Sequence, residues 1–189
     1  MADLVVDSSI IIGIAKLYKD NIQSPRNRRE NYLFNIKNLI EDGKINCVVT
    51  PTIMKEIRRG SKFDKGFGLK IISRFGTQID FDDYDKNKTI ELVDTYGNYM
   101  INDKTAIENA EDSMSRNYAD ARIVAETAVL QKKFGNVIPL LTDNIADICD
   151  ESKINIINLR HGVPKIHIHS MHTLKDAIAL AERNTESGA

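Results

Sequence analysis

Asp7 and Asp143 each close a short apolar run, LVVD at 4–7 and IPLLTD at 138–143. A carboxylate at the end of a buried strand loses its hydration and needs something to hold its charge. Glu56, in TPTIMKEIRRG, and Asp120, in NYADARIVAETAVL, add two acids on helical segments beside such strands. Four carboxylates brought together by separated elements make a site for a hard divalent cation. Magnesium and manganese take oxygen ligands from carboxylates, waters and substrate phosphates. Without a cation the acids repel one another and some pKa values rise; with one they stay ionised. The chemistry that suits such a centre is phosphodiester hydrolysis, in which a bound cation activates water, offsets charge developing on the phosphate and orients the reacting oxygens. No nucleophilic side chain is required.

The elements that must position these acids alternate along the chain. Leu4 to Val6 is a strand, and Ile10, Ile11, Ile12, Ile14 and Leu17 continue as a helix capped at Ser8 or Ser9. Tyr32, Leu33, Ile36, Leu39 and Ile40 recur at helical spacing before Gly43. Cys47 to Val49 is the second strand, and Thr50-Pro51 opens the helix that carries Glu56. Gly60, Gly66 and Gly68 mark a basic loop ahead of a short helix at 69–75, and 78–81 reads as a modest strand. A helix is expected over 82–100, a polar loop or irregular helix over 102–117, and a clear helix from Tyr118 to Phe134 closed by Gly135. Val137 to Leu141 is a strand, Ile145 to Cys149 a short helix, Ile154 to Ile157 a strand, and 173–183 the last helix before a frayed tail, NTESGA. This alternation predicts an α/β fold with a mainly parallel sheet and helices on both faces. Sites in such sheets form at the carboxyl ends of the strands, where Asp7 and Asp143 fall.

With 189 residues and 42% hydrophobic content the chain can bury a core of its own. Lys plus Arg number 26 against 27 Asp plus Glu, so a nucleic-acid partner has to be met by local patches. Cys47 and Cys149 lack the spacing of a metal knuckle or redox pair. No signal peptide or membrane-length apolar run is present, which points to a cytoplasmic protein.

The order of the four acids and their surroundings resembles the PIN-domain family of metal-dependent ribonucleases over roughly residues 3–157. LVVDSS, with Asp7 and Ser8, looks like that family's opening motif, in which a hydroxyl residue supports the site. TPTIMKEI with Glu56 resembles the second motif, and YADARIVAETAVL with Asp120 the third. LLTDNIADI with Asp143 resembles the fourth, with Thr142 where the family often has a hydroxyl residue and Asn144 and Asp147 as further candidates. The resemblance implies a three-layer α/β/α nuclease domain over 1–160, with a strand and helix extension, 161–189, packed on it. It also implies Asp7, Glu56, Asp120 and Asp143 as catalytic and metal-holding residues, Mg2+ or Mn2+ as cofactor, and RNA as substrate with 5′-phosphate and 3′-hydroxyl products. An antitoxin protein and a second copy of the chain are the expected protein partners, in a toxin–antitoxin pair or in RNA processing. The acidic segment with Glu108, Glu111 and Asp112 has no counterpart in this pattern and reads as a solvated surface, with an inserted loop flanking the site as the alternative.

Each acid also has a plainer reading. Asp7 and Asp143 are placed to cap following helices, Glu56 to face solvent, and Asp120 to serve a helix dipole. Two basic clusters offer phosphate contacts: Arg26, Arg28 and Arg29, and Lys55, Arg58, Arg59, Lys62 and Lys65. Tyr32 and Phe63 are rings that suit base stacking or the core. His167 and His169, two apart with His172 nearby, share a strand face, but no acid or cysteine completes a metal set, so a partly exposed edge strand is the expectation. Two other classes compete: a PIN-like RNA-binding or protein-interaction module without turnover, and an α/β phosphatase or nucleotide-binding protein using Asp7. Intact acids in every motif oppose the first, and the missing phosphate loop and D-x-D oppose the second.

Overall fold

The computed structural model describes residues 1–59, 62–100, 116–143 and 151–186. β1 (Ala2–Val6), β2 (Ile45–Val49), β3 (Gly76–Gln78), β4 (Leu140–Thr142) and β5 (Ile168–Ser170) form one sheet in the order β3-β2-β1-β4-β5, every pair parallel. The helices that flank it are α1 (Ser8–Lys19), α2 (Arg28–Glu41), α3 (Pro51–Arg59), α4 (Lys62–Phe75), α5 (Asp83–Met100), α6 (Arg116–Phe134), α7 (Glu151–Arg160) and α8 (Leu174–Glu186). A parallel sheet covered on both faces needs strands without polar alternation. Leu4, Val5, Val6 and Val49 are accordingly all fully buried. The chain winds outward from β1 through β2 to β3, then returns to place β4 and β5 on β1's other side. The order therefore reverses between β1 and β4, and in open parallel sheets the carboxyl ends of the strands at such a reversal are where sites form.

Local chemistry explains several boundaries. Asn27 caps α2 by accepting from the Glu30 N–H. At its far end Gly43 takes φ +67, with Gly43 N–H donating to Ile40 O and Lys44 N–H to Leu39 O, a Schellman ending. α5 starts with a reciprocal box, in which Asp85 N–H donates to Asp82 and Asp82 N–H to Asp85, while Lys133 of α6 donates to Asp85 at 2.5 Å.

The structure departs from the sequence expectations in four places. Residues 154–157 belong to helix α7 rather than a strand; Ile154 and Ile157 are buried at i,i+3 spacing, and the helix ends on Gly162 at φ +66 with a second Schellman pair. The basic loop is largely helical, since α4 runs through Gly66 and Gly68. A Cβ at Gly68 would stand 2.9 Å from Ile57 Cγ2, so glycine there lets α4 approach α3. β3 lies earlier than 78–81, leaving Phe81 buried in the following loop. α6 begins at Arg116, ahead of Tyr118. The expected helix 145–149, most of the polar stretch 102–117, the acids Glu108, Glu111 and Asp112, and Cys149 fall outside the described residues.

β5 pairs with β4 and α8 packs on β1, so the segment after 160 shares the sheet and its core. As an edge strand β5 fits the expectation for the histidine run. Among the described residues no helix is long and apolar enough to cross a membrane. Cys47 is fully buried in β2, and burial pushes its thiol up to about 12. It therefore stays protonated and shielded at pH 8, and a thiol reagent followed by peptide mass mapping should label Cys47 only after unfolding.

Candidate active site

Asp7 leaves β1 at the switch point. Its N–H extends the ladder to Leu141 O at 2.9 Å, and its carbonyl accepts from Ile10 and Ile11 N–H at 3.1 and 3.2 Å to start α1. The carboxylate makes no bond to the helix backbone, so side-chain capping does not explain it. Instead Oδ2 accepts from Thr142 Oγ1 at 2.8 Å and from Ser9 Oγ at 2.9 Å, and Oδ1 faces Ser8 Oγ at 3.2 Å. Asp7 is only 5% exposed, and these hydroxyls stand in for the water it has lost. The Thr142 contact follows from register: Val6 pairs with Leu141, so the next residue on each strand meets its counterpart.

Glu56 joins this group through α3. Ser8 Oγ lies 2.6 Å from Glu56 Oε2, much nearer than its contact with Asp7. A serine hydroxyl has one proton, and the shorter distance directs it at Glu56. Ser8 thus ties together two acids 49 positions apart in numbering, Asp7 and Glu56. The half-buried setting of Glu56 differs from a solvated helix face.

The two other acids are placed differently. Asp120 is buried, 8% exposed, in the second turn of α6 because that helix begins earlier than expected. A macrodipole role falls off beyond the first turn, so the dipole reading weakens. Asp143 sits in an exposed bend after β4, and both Nε and Nη2 of Arg29 reach its Oδ2 at 2.7 Å. With the arginine side chain 54% exposed, this ion pair contributes about 0–1 kcal/mol. Among the described residues no group of three or more His, Cys, Asp or Glu side chains is gathered closely enough to hold a metal ion. What the fold brings together is the linked set Thr142, Asp7, Ser8, Ser9 and Glu56. Asn144 and Asp147 lie outside the described residues.

One acid escaped the sequence reading. Glu126 is 5% exposed on α6 and receives both the N–H of Thr52, at 3.1 Å, and its Oγ1, at 2.7 Å. It closes the N-terminus of α3 one turn before Glu56. Burial raises its pKa, against the opposing pull of the threonine hydrogen bonds and the Arg122 charge. The available signal was an ionisable residue inside the largely apolar IVAETAVL. Ser9 was also missed as an Asp7 partner, although the DSS triplet showed it.

The basic residues divide by element. Arg58 and Arg59 are exposed in the last turn of α3 and, with Lys55 and residues 78–80, line a groove of about 390 Å³. Lys62 begins α4, and its side chain, like that of Phe63, is outside the described residues. In the other cluster Arg26 pairs with Glu30 at 2.9 Å, Arg28 donates to the Tyr32 hydroxyl at 3.1 Å, and Arg29 is held by Asp143. The Tyr32 ring meets His172 edge-on, with centroids 4.5 Å apart.

Fold and site together define an α/β protein with a five-stranded, all-parallel sheet and a hydrogen-bonded set of acids and hydroxyls at its switch point. No family model matches the chain, and no curated protein matches it. Among solved structures it is similar to VapBC2 from Rickettsia felis bound to a DNA fragment from their promoter. That similarity has 12% identity and a TM-score of 0.45, and covers 89% of this chain and 98% of that one.

Proposed function

We propose that the chain is a Mg2+- or Mn2+-dependent ribonuclease of the PIN-domain kind, acting on RNA phosphodiester bonds. The observation that carries this reading is the Asp7–Ser8–Glu56 link at the carboxyl edge of a parallel sheet, with Thr142 and Ser9 fixing Asp7. The donor chemistry fits a hard cation, which needs only one or two carboxylates when waters and substrate phosphates complete its shell. Asp7 and Glu56 would hold it, with Asp120 and Asp143 as the further acids of the site. When bound, such a cation supplies an activated water and charge neutralisation at the phosphate.

The chain's own residues do the rest. Thr142 and Ser9 keep the Asp7 carboxylate fixed at the switch point, and Ser8 holds Glu56 toward it. Arg58 and Arg59 place positive charge beside α3, where the RNA backbone can be gripped without reading its bases. A toxin neutralised by an antitoxin protein and an RNA-processing enzyme are both biological settings for this activity, and a small co-transcribed neighbouring gene would favour the first.

The test is incubation of the purified chain with single-stranded RNA in manganese or in EDTA, beside Asp120→Asn. Cleavage should need manganese, leave 5′-phosphate ends and fall sharply in the variant. Equal cleavage by both proteins would trace the activity to a contaminant. The Arg29–Asp143 pair and the lack of a three-acid group among the described residues favour a second reading, a PIN-like RNA-binding module without turnover. Metal-independent RNA binding with no cleavage is the result that would select it.

A further inference from the structure

Next to the Arg58–Arg59 groove, a pocket of about 330 Å³ lies between α3, α5 and α6. Its chemistry is mixed in a particular way. Lys55 of α3, Lys86 of α5 and Arg122 of α6 converge from three helices on its wall, the half-exposed Ile90 adds an apolar surface, and the buried Glu126 lies at its base. Lys86 and Ile90, four residues apart on α5, face the cavity together. Among the described residues Lys86 is otherwise engaged only in an exposed ion pair with Asp83 at 3.3 Å, a contact worth little in water.

We infer that this pocket is a nucleotide subsite that takes one unpaired nucleotide of an RNA strand, its phosphate on Lys55, Lys86 and Arg122 and its base against Ile90. The inference rests on the ribonuclease reading and extends it by naming where the strand is held. Three cations against one acid give the pocket a net positive charge that suits a phosphate. Ile90 offers an apolar surface against which the face of any base can pack. The buried carboxylate of Glu126 is an acceptor for base N–H groups rather than a partner for phosphate. Position supports the assignment as well. Pro51 and Lys55 line both this pocket and the groove with Arg58 and Arg59, so a strand held in one can continue into the other. A volume of about 330 Å³ is at the small end of ligand sites, enough for one nucleotide rather than a duplex.

The experiment has two arms. In EDTA, the four ribonucleoside 5′-monophosphates are titrated into the isotopically labelled chain and backbone amide shifts are followed. Shifts should centre on 52–55, 86–90 and 122–126, vanish in Lys86→Glu, and survive in Lys16→Glu, which makes the same charge change in the exposed last turn of α1. In manganese, Lys86→Glu should raise KM for single-stranded RNA about fivefold with kcat nearly unchanged and lower the salt slope by about one. Shifts located elsewhere, or equal losses in Lys86→Glu and Lys16→Glu, would overturn the subsite. Nucleotide binding at these residues without RNA cleavage would keep the subsite and reject the ribonuclease reading. Cleavage unaltered by Lys86→Glu would do the reverse.

Discussion

Asp7→Asn is expected to lower manganese-dependent RNA cleavage by more than about 100-fold, because changes to groups that merely support metal ligands already cost about 10- to 100-fold. Asparagine has nearly the same shape, keeps one oxygen acceptor for Thr142 or Ser9, and removes the charge. The hydroxyls around Asp7 can turn to suit the new amide, since each serves as donor or acceptor. Tm should therefore move by no more than about 4 °C, the shift that roughly 1 kcal/mol produces in a chain of this size. Ser8→Ala should fall between the variant and the parent, losing the bridge to Glu56 at 2.6 Å while leaving both acids in place. Thermal unfolding and cleavage measured on the same preparations separate the two effects. If Asp7→Asn cleaves RNA like the parent, the switch point is not where hydrolysis occurs.

Glu126→Ala carries the second large effect, this time on stability and activity together. It leaves the Thr52 N–H and hydroxyl without their acceptor inside the α3–α6 contact, at a cost of about 1–3 kcal/mol. α3 also presents Glu56 one turn further on, so a loosened N-terminus should lower kcat as well, by about tenfold or more. Glu126→Gln isolates the charge. Burial raises the folded-state pKa of Glu126, so below the ordinary glutamate range both states are protonated and parent and Gln variant should be similarly stable. As pH rises through the window between the unfolded and the raised folded value, the unfolded chain ionises first, and the parent loses stability relative to Glu126→Gln. Urea unfolding of both proteins across that range reads the difference directly. Parallel curves would mean that burial does not dominate the Glu126 environment.

The two acids at the strand ends were legible because an apolar run interrupted by a carboxylate is a local signal. β1 and β4 stand at LVVD and IPLLT, β1 starting two residues earlier and β4 three residues later than expected, and both carboxyl ends fall at one edge of the parallel sheet. Glu56 rested on order and resemblance, since its helix could present either face. The position of α3 against α1 turned that face inward and put Ser8 between the two acids.

The misread elements fail for reasons of the same kind. Residues 154–157 match a strand over so short an apolar run, and only the glycine ending at 162 and burial against α5 make them helical. Gly66 and Gly68 read as loop residues because glycine weakens a helix, yet close packing of Gly68 on Ile57 makes its small size an advantage. Glu126 shows the limit most clearly. Its partner, Thr52, is 74 residues away, and no spacing rule links them.

Periodicity and the placement of acids determined by themselves that this chain is an α/β protein with carboxylates at the ends of its strands, since both depend on neighbours in the chain. Which carboxylates meet was decided only by the tertiary structure. Strand order set the switch point between β1 and β4, β1–β4 register put Thr142 against Asp7, and helix packing brought Glu56 to Ser8 while Arg29 took Asp143. Those pairings depend on distances across the fold, and a few ångströms separate a shared proton from an exposed ion pair.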